Sequence, residues 1–245
     1  MLEPSELERY ERQIMQFGEE GQQTLKDASV LIAGAGGLGS PVAYYLAAAG
    51  VCHIRIVDND TVERTNLNRQ ILHREDDTGH GKVDSARQKL SSLNPDITID
   101  ARFETIDEKS IKSLAEGVDA IIDALDNFQT RYLLNREALD RRVPFFHGAI
   151  SGFQGQAMVV IPGKTACLRC IFPNPPPKEV FPVVGVTPGL IGVIQANEVL
   201  KYLLGIGDLQ CDKLILWNGL SCTFEEIPVA KNPCCVDCSG IQAQR

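Results

Sequence analysis

The chain has 245 residues, 44% of them hydrophobic and 23% charged, with a formal net charge of −8. That length gives one large domain or two small ones with ample core, and the acidic balance argues against general nucleic-acid binding. No apolar run approaches the roughly 20 residues that span a bilayer, and the acidic start Met1-Leu2-Glu3-Pro4-Ser5-Glu6 is no signal peptide, so a cytoplasmic protein is expected. Eight cysteines in such a chain point to metal binding or redox chemistry before structural disulfides.

Ser5-Glu6-Leu7-Glu8 reads as a capping box opening a helix that carries Arg9, Tyr10 and Arg12 towards Phe17. A second short helix is expected over residues 22–27, both packing as surface helices on a sheet edge. Residues 30–33 are an apolar run that fits a buried parallel strand. Gly34, Gly36 and Gly39 follow in G-x-G-x-x-G spacing, then a helix over 40–49 that Gly50 caps. Glycines let the backbone approach a phosphate, and the helix start offers free N–H groups. Asp58 ends the next strand, 53–57, at the distance expected for a carboxylate that takes ribose hydroxyls.

A polar stretch over 59–70 is too long for a tight connection and sits where ligand loops sit in doubly wound sheets. A helix follows from Lys82 to Leu93, stopped by Asn94-Pro95. Residues 97–103 and 118–123 read as strands, 107–115 and 128–141 as helices, and 143–147 and 156–161 as further strands. The alternation predicts a parallel α/β sheet with right-handed crossovers. Ligands bind beyond the carboxyl ends of such strands, and three of those ends carry the glycine run, Asp58 and Asp126. Residues 172–180, with four prolines, read as a surface loop. A helix over 190–204 and strands over 213–218 and 222–228 complete the chain with some antiparallel pairing. The fold class is therefore Rossmann-like doubly wound α/β, with a mostly parallel sheet and an added mixed or antiparallel C-terminal part.

Arg69 and Lys82 flank the glycine run; arginine offers a fork to phosphate and lysine a point charge. Asp126 could hold Mg²⁺ through oxygen with phosphates completing the shell. It could instead cap the 128–141 helix, but Asn127 is the better-placed cap and frees it. Cys167-Leu168-Arg169-Cys170 and Cys235-Val236-Asp237-Cys238 are two CxxC knuckles, whose four thiolates suit a closed tetrahedral Zn²⁺ site. Redox use is the rival and would require a thioredoxin-like context that is absent. Cys234 is adjacent and competes as a ligand, while Cys52, Cys211 and Cys222 read as buried thiols. The four histidines have no ligand spacing and receive no role.

These motifs together, R-Y-x-R-Q from Arg9, the G-x-G-G-L-G run, D-x-D-x-V, N-L-x-R-Q, G-x-x-K-V, the D-N pair and two CxxC pairs, resemble the ubiquitin-activating-like adenylyltransferases of the MoeB/ThiF/HesA group. The chain looks most like the molybdopterin-synthase branch of that group, and the resemblance runs over nearly all of it. It implies a single adenylation domain over 1–245: a helical arm (about 1–28), a nucleotide-binding half (29–150) and a carrier-binding and zinc half (151–245). It implies adenylation of the C-terminal glycine of a ubiquitin-like sulfur-carrier protein by Mg-ATP, in a homodimer. Nucleotide contacts carry over to Gly34, Gly36, Gly37, Gly39, Asp58, Asp60, Asn66, Arg69, Gln70, Lys82, Asp126 and Asn127, with Asp126 on Mg²⁺. Arg12 matches an arginine that reaches the partner subunit's site. Some relatives carry a cysteine in the loop before the 190–204 helix; residues 174–187 have none, so the reaction is expected to stop at the acyl-adenylate with a separate sulfur donor. The chain's end soon after Cys238 suggests no appended sulfurtransferase domain. The alternatives are a relative that activates a carboxylate on modified tRNA and an NAD-dependent oxidoreductase built on the same turn.

Overall fold

The computed structural model describes residues 1–175 and 181–242. One eight-stranded sheet organises them, in the order β3-β2-β1-β4-β5-β6-β7-β8. The strands are β1 (Ser29–Ala33), β2 (His53–Asp58), β3 (Thr98–Phe103), β4 (Ala120–Asp123), β5 (Phe145–Ser151), β6 (Gln154–Val160), β7 (Lys213–Asn218) and β8 (Thr223–Pro228). β1 to β5 pair in parallel, and β6 to β8 extend the sheet antiparallel. The order reverses at β1, which lies between β2 and β4, and that is where doubly wound sheets open a ligand crevice.

The apolar run of β1 has a simple cause. Val30 and Ile32 enter the core on one face, Leu31 and Ala33 the core on the other, and all four are fully buried. Each large side chain removed from water in this way contributes roughly 1.5–3 kcal/mol. The first face is covered by α2 (Glu11–Asp27), α3 (Gly39–Ala49), α4 (Lys82–Leu93) and α8 (Val186–Leu204). The second is covered by α5 (Ser110–Leu114), α6 (Phe128–Arg141) and α7 (Leu168–Ile171).

Several expectations need correction. The capping box exists but lies two residues earlier: α1 spans Pro4–Arg9, and the Glu3 N–H donates to Glu6 Oε2 at 2.7 Å. The N-terminal arm turns at Tyr10 between α1 and α2 and kinks again inside α2 at Gly18, and it packs on α8 rather than on a sheet edge. Tyr10 docks it, buried, with its hydroxyl accepting from Asn94 Nδ2. β6 is antiparallel to β5, because the chain between them is too short for a parallel crossover. α5 is shorter than expected, since the Asp107 carboxylate takes the Lys109 and Ser110 amides before the helix begins. α8 starts at Val186, four residues earlier, because Pro188 is tolerated in a first turn. Of the Pro-rich loop, residues 176–180 lie outside the described residues.

Candidate active site

The glycine run sits between β1 and α3. Gly34 has φ +103°, donates to Val57 O at 2.8 Å, and an added Cβ would meet Ala124 O at 2.6 Å. A Cβ on Gly39 would sit 2.0 Å from Gly34 O. Both glycines are therefore demanded by the chain's own packing. Gly36 differs: its Cβ would make only an ordinary contact with Gln70 Nε2, at 3.6 Å, so the chain's own packing does not demand glycine there. The amides of Gly36, Gly37 and Leu38 have no acceptor among the described residues, which is the donor set an anion takes at a helix start.

The expected partners gather around this turn. Asp58, at the end of β2, accepts from the Ala35 N–H (2.8 Å) and the Asp60 N–H (2.9 Å). Burial pushes its carboxyl up, against the lowering effect of Lys82 and the two amides. Lys82 is buried at the start of α4 and donates to Asp60 Oδ2 at 2.8 Å, with its own backbone N–H on Asp60 O. Gln70 is buried against Gly36, and its Oε1 has no partner among the described residues. Arg69 donates to Thr65 O and Asn68 Oδ1, and its carbonyl lies close to Gly37. Asn66 Oδ1 takes the Glu63 amide and builds the loop.

At the end of β4, Asn127 Oδ1 accepts from the Thr130 N–H at 2.9 Å and caps α6, as expected. Asp126 is exposed and its carboxylate has no hydrogen bond among the described residues. Such a carboxylate is chemically suited to a hard divalent cation, with phosphate oxygens and water as the remaining ligands. Arg12 stays exposed on α2 and joins none of these contacts.

Four polar residues that the sequence signalled only weakly lie buried beside these elements. His73 is buried, with Nε2 2.8 Å from Ala35 O and Nδ1 2.8 Å from Ser85 Oγ; burial holds its imidazole below the usual histidine range. Asp123, Arg131 and His147 form a buried cluster beneath Asp126. Their signal was weak: each follows or ends a buried strand or lines α6, where a charged residue needs a partner.

The four knuckle cysteines converge, their sulfurs all within 4.8 Å of one another. Cys167 and Cys235 sulfurs are 3.6 Å apart, and those of Cys170 and Cys238 are 3.4 Å apart. Four sulfurs bound at about 2.3 Å to a tetrahedral ion would lie about 3.8 Å apart, so the set fits a closed S4 metal centre. Burial and the neighbouring thiols push Cys167 up and Cys238 up to about 12, so holding these two as thiolates would take a cation between them. Asp237, its side chain fully buried between the last two ligands, accepts from Asn135 (3.1 Å), Arg136 (3.0 Å) and Arg169 (3.5 Å). Cys234 is exposed and outside the set. Cys222 corrects the expectation of a buried thiol: it is exposed at φ +56° just ahead of β8. Cys52 and Cys211 are half-buried.

A doubly wound sheet with a glycine turn at its switch point, acidic residues at or just beyond its strand ends and a separate cluster of four cysteines is the arrangement of a nucleotide-binding α/β fold. The chain belongs to the ThiF family, whose sequence profile matches residues 10–237. It is 41% identical over 245 residues to the SAMP-activating enzyme E1 of Haloferax volcanii, covering 97% of this chain and 90% of that one. It is likewise 41% identical over 253 residues to the sulfur carrier protein adenylyltransferase of Thermus thermophilus, covering 98% and 93%. A third relative is the adenylyltransferase and sulfurtransferase MOCS3 of Drosophila sechellia, 41% identical over 248 residues, of which this chain spans 55%. Among solved structures, Escherichia coli MccB with AMPCPP and MccA shares the fold at a TM-score of 0.85 and 24% identity, covering 94% of this chain and 74% of that one. These relatives favour neither the tRNA nor the NAD reading.

Proposed function

We propose that this chain adenylates the C-terminal glycine of a ubiquitin-like sulfur-carrier protein with a Gly-Gly tail. It uses ATP, releases pyrophosphate, and serves sulfur transfer in molybdopterin- or thiamine-type biosynthesis. One observation supports the reading: the amides of Gly36, Gly37 and Leu38, which have no acceptor among the described residues, start α3 at the sheet's switch point, where β2 ends in Asp58 and the segment after β4 carries Asp126. The attacking nucleophile is the carrier's own carboxylate, so the chain has to position and neutralise charge rather than supply a nucleophile. Asp58 and Gln70 hold the ribose side. The glycine amides, Asn66, Arg69 and Lys82 hold the phosphates, with Asp60 keeping Lys82 in place. Asp126, beside Asn127, holds Mg²⁺, which would neutralise phosphate charge. Arg12, exposed on α2, reaches the partner's site in a homodimer.

Zn²⁺ at Cys167, Cys170, Cys235 and Cys238 is structural, since no coordination position stays open. Residues 1–28 form the arm, 29–150 bind nucleotide, and 151–245 bind carrier and zinc in a cytoplasmic enzyme. A separate donor supplies sulfur after the acyl-adenylate forms. The test is ATP–pyrophosphate exchange with each Gly-Gly-tailed carrier of the same genome. Exchange that needs one carrier and is lost in Asp126→Ala supports the reading. Exchange with none of them, while ATP still binds, refutes it.

A further inference from the structure

We propose that His73 is a positioning residue for the nucleotide phosphates: by holding the Ala35 carbonyl inward, it turns the Gly36 amide outward to meet them. The inference rests on the ATP site proposed above. Ala35 is the residue between the first two glycines of the turn, and it is fixed at both ends. Its N–H goes to Asp58 Oδ2 and its C=O accepts from His73 Nε2, each at 2.8 Å. The bond from Ala35 to Gly36 is trans, as no cis peptide occurs among the described residues. In a trans peptide the C=O and the N–H of one plane point in opposite directions. A carbonyl tied to a buried imidazole therefore sends the next amide the other way, out of the side of the turn that His73 occupies. That amide has no acceptor among the described residues.

The imidazole is itself held in the form this requires. A carbonyl only accepts, so Nε2 must carry the proton. Nδ1 then accepts from Ser85 Oγ, 2.8 Å away. The Ser85 hydroxyl oxygen takes a hydrogen bond from Lys89 Nζ at 3.0 Å, which leaves its own hydrogen free for His73. Lys89 is paired in turn with Asp77. A chain of partners from Asp77 to Ala35 thus fixes one peptide plane of the phosphate turn, and every member of it but Ala35 lies outside the turn.

The test compares calorimetric binding of ATP and of adenosine in the wild type, His73→Leu and His73→Gln. Leucine fills the volume without a donor, whereas the glutamine amide can place N–H where Nε2–H was. In His73→Leu, ATP binding is expected to weaken about 10-fold, the range for losing a hydrogen bond that a charged group depends on, while adenosine stays within about 2-fold. His73→Gln should restore most of the difference. Equal weakening of both ligands, or none of either, would overturn the proposal. Where His73→Leu does not fold, Ser85→Ala takes its place: a phosphate-dependent loss of about 3-fold supports the proposal and an unchanged ATP affinity overturns it. A protein that binds ATP with this His73 dependence but exchanges pyrophosphate with no carrier keeps the positioning role and sinks the adenylation reading alone.

Discussion

Arg131→Met is the perturbation that most directly tests how Asp126 is held. Asp123 ends β4 with a fully buried carboxylate; its Oδ2 lies 2.7 Å from His147 Nδ1 and 3.3 Å from Arg131 Nε, and its Oδ1 accepts the Leu125 N–H at 3.1 Å. Arg131 Nη2 donates to Leu125 O and to Gly148 O, and the guanidinium lies over Phe128. Leu125 is therefore gripped at both its N–H and its C=O, one residue before Asp126. Methionine keeps the apolar stem and removes the charge and the donors. The side chains of Arg131 and Asp123 are 5% and 0% exposed, so solvent screens little of the loss. Breaking such a buried pair costs about 3–5 kcal/mol. At about 2–4 °C per kcal/mol for a chain of this size, the melting temperature should fall by about 6–20 °C. Burial, with Arg131 beside it, holds the His147 imidazole below the usual range; removing Arg131 lifts it towards protonation, so imidazolium can stand in for guanidinium. The loss should then be smaller at pH 6 than at pH 8. Calorimetric melts of Arg131→Met and of Asp123→Asn/Arg131→Met check this, the double variant recovering part of the loss because no bare carboxylate remains. A fall of under about 1 kcal/mol, or a double variant no better than the single one, refutes the reasoning.

Three further outcomes follow from the site. Arg69→Ala and Lys82→Met should each lower carrier-dependent pyrophosphate exchange by about 10²–10³, the cost of losing one positioned donor at developing charge; a change under 10-fold would remove either residue from the phosphate site. Cys167→Ser should lower the bound zinc measured by elemental analysis and lower the melting temperature, since the three remaining ligands no longer close the centre; full zinc content would show a different ligand set. Asp77 tests the pH dependence: burial raises its carboxyl, but Lys89 and the Arg74 amide outweigh it and hold it below its ordinary 3.8. A depressed carboxyl stabilises the fold above its unfolded value and loses that contribution as pH falls through the folded one. Urea midpoints of Asp77→Asn should therefore lie below the wild type at pH 6 and approach it as pH falls below the ordinary carboxylate range, and parallel curves would refute the pairing.

The elements that the sequence made legible are those with a local signal. β1, α3 with its Gly50 cap, α4 from Lys82 to Leu93 and α6 behind the Asn127 cap fall where periodicity and capping put them. The antiparallel turn of β6 was legible too, but through chain length rather than pattern. Residues 147 and 156 are too close in sequence to be joined by a parallel crossover of about a dozen residues. Cys222 misled because alternation continues into β8 while the chain is still turning there.

The site divides along the same line. Gly34 and Gly39 were legible through their spacing, which the turn's own packing demands, and Asp58, Lys82 and Asp126 as candidates because ligand chemistry is expected at the strand ends of a doubly wound sheet. The groups that hold them were not. His73 meets Ala35 across 38 residues, and Asp237 meets Asn135 and Arg136 across 102 and 101. In sequence, Asp237 reads as a solvated charge in a knuckle. In the fold its carboxylate is fully buried, so it must be neutralised, and Arg136 from α6 and Arg169 from the other knuckle do so. Which polar side chains become buried depends on tertiary packing, and only burial makes a partner obligatory. A ligand-facing residue carries its requirement in its own chemistry. A supporting residue acquires its requirement from the fold, and for that reason the glycine turn could be read from the chain while His73, bonded to the Ala35 carbonyl, could not.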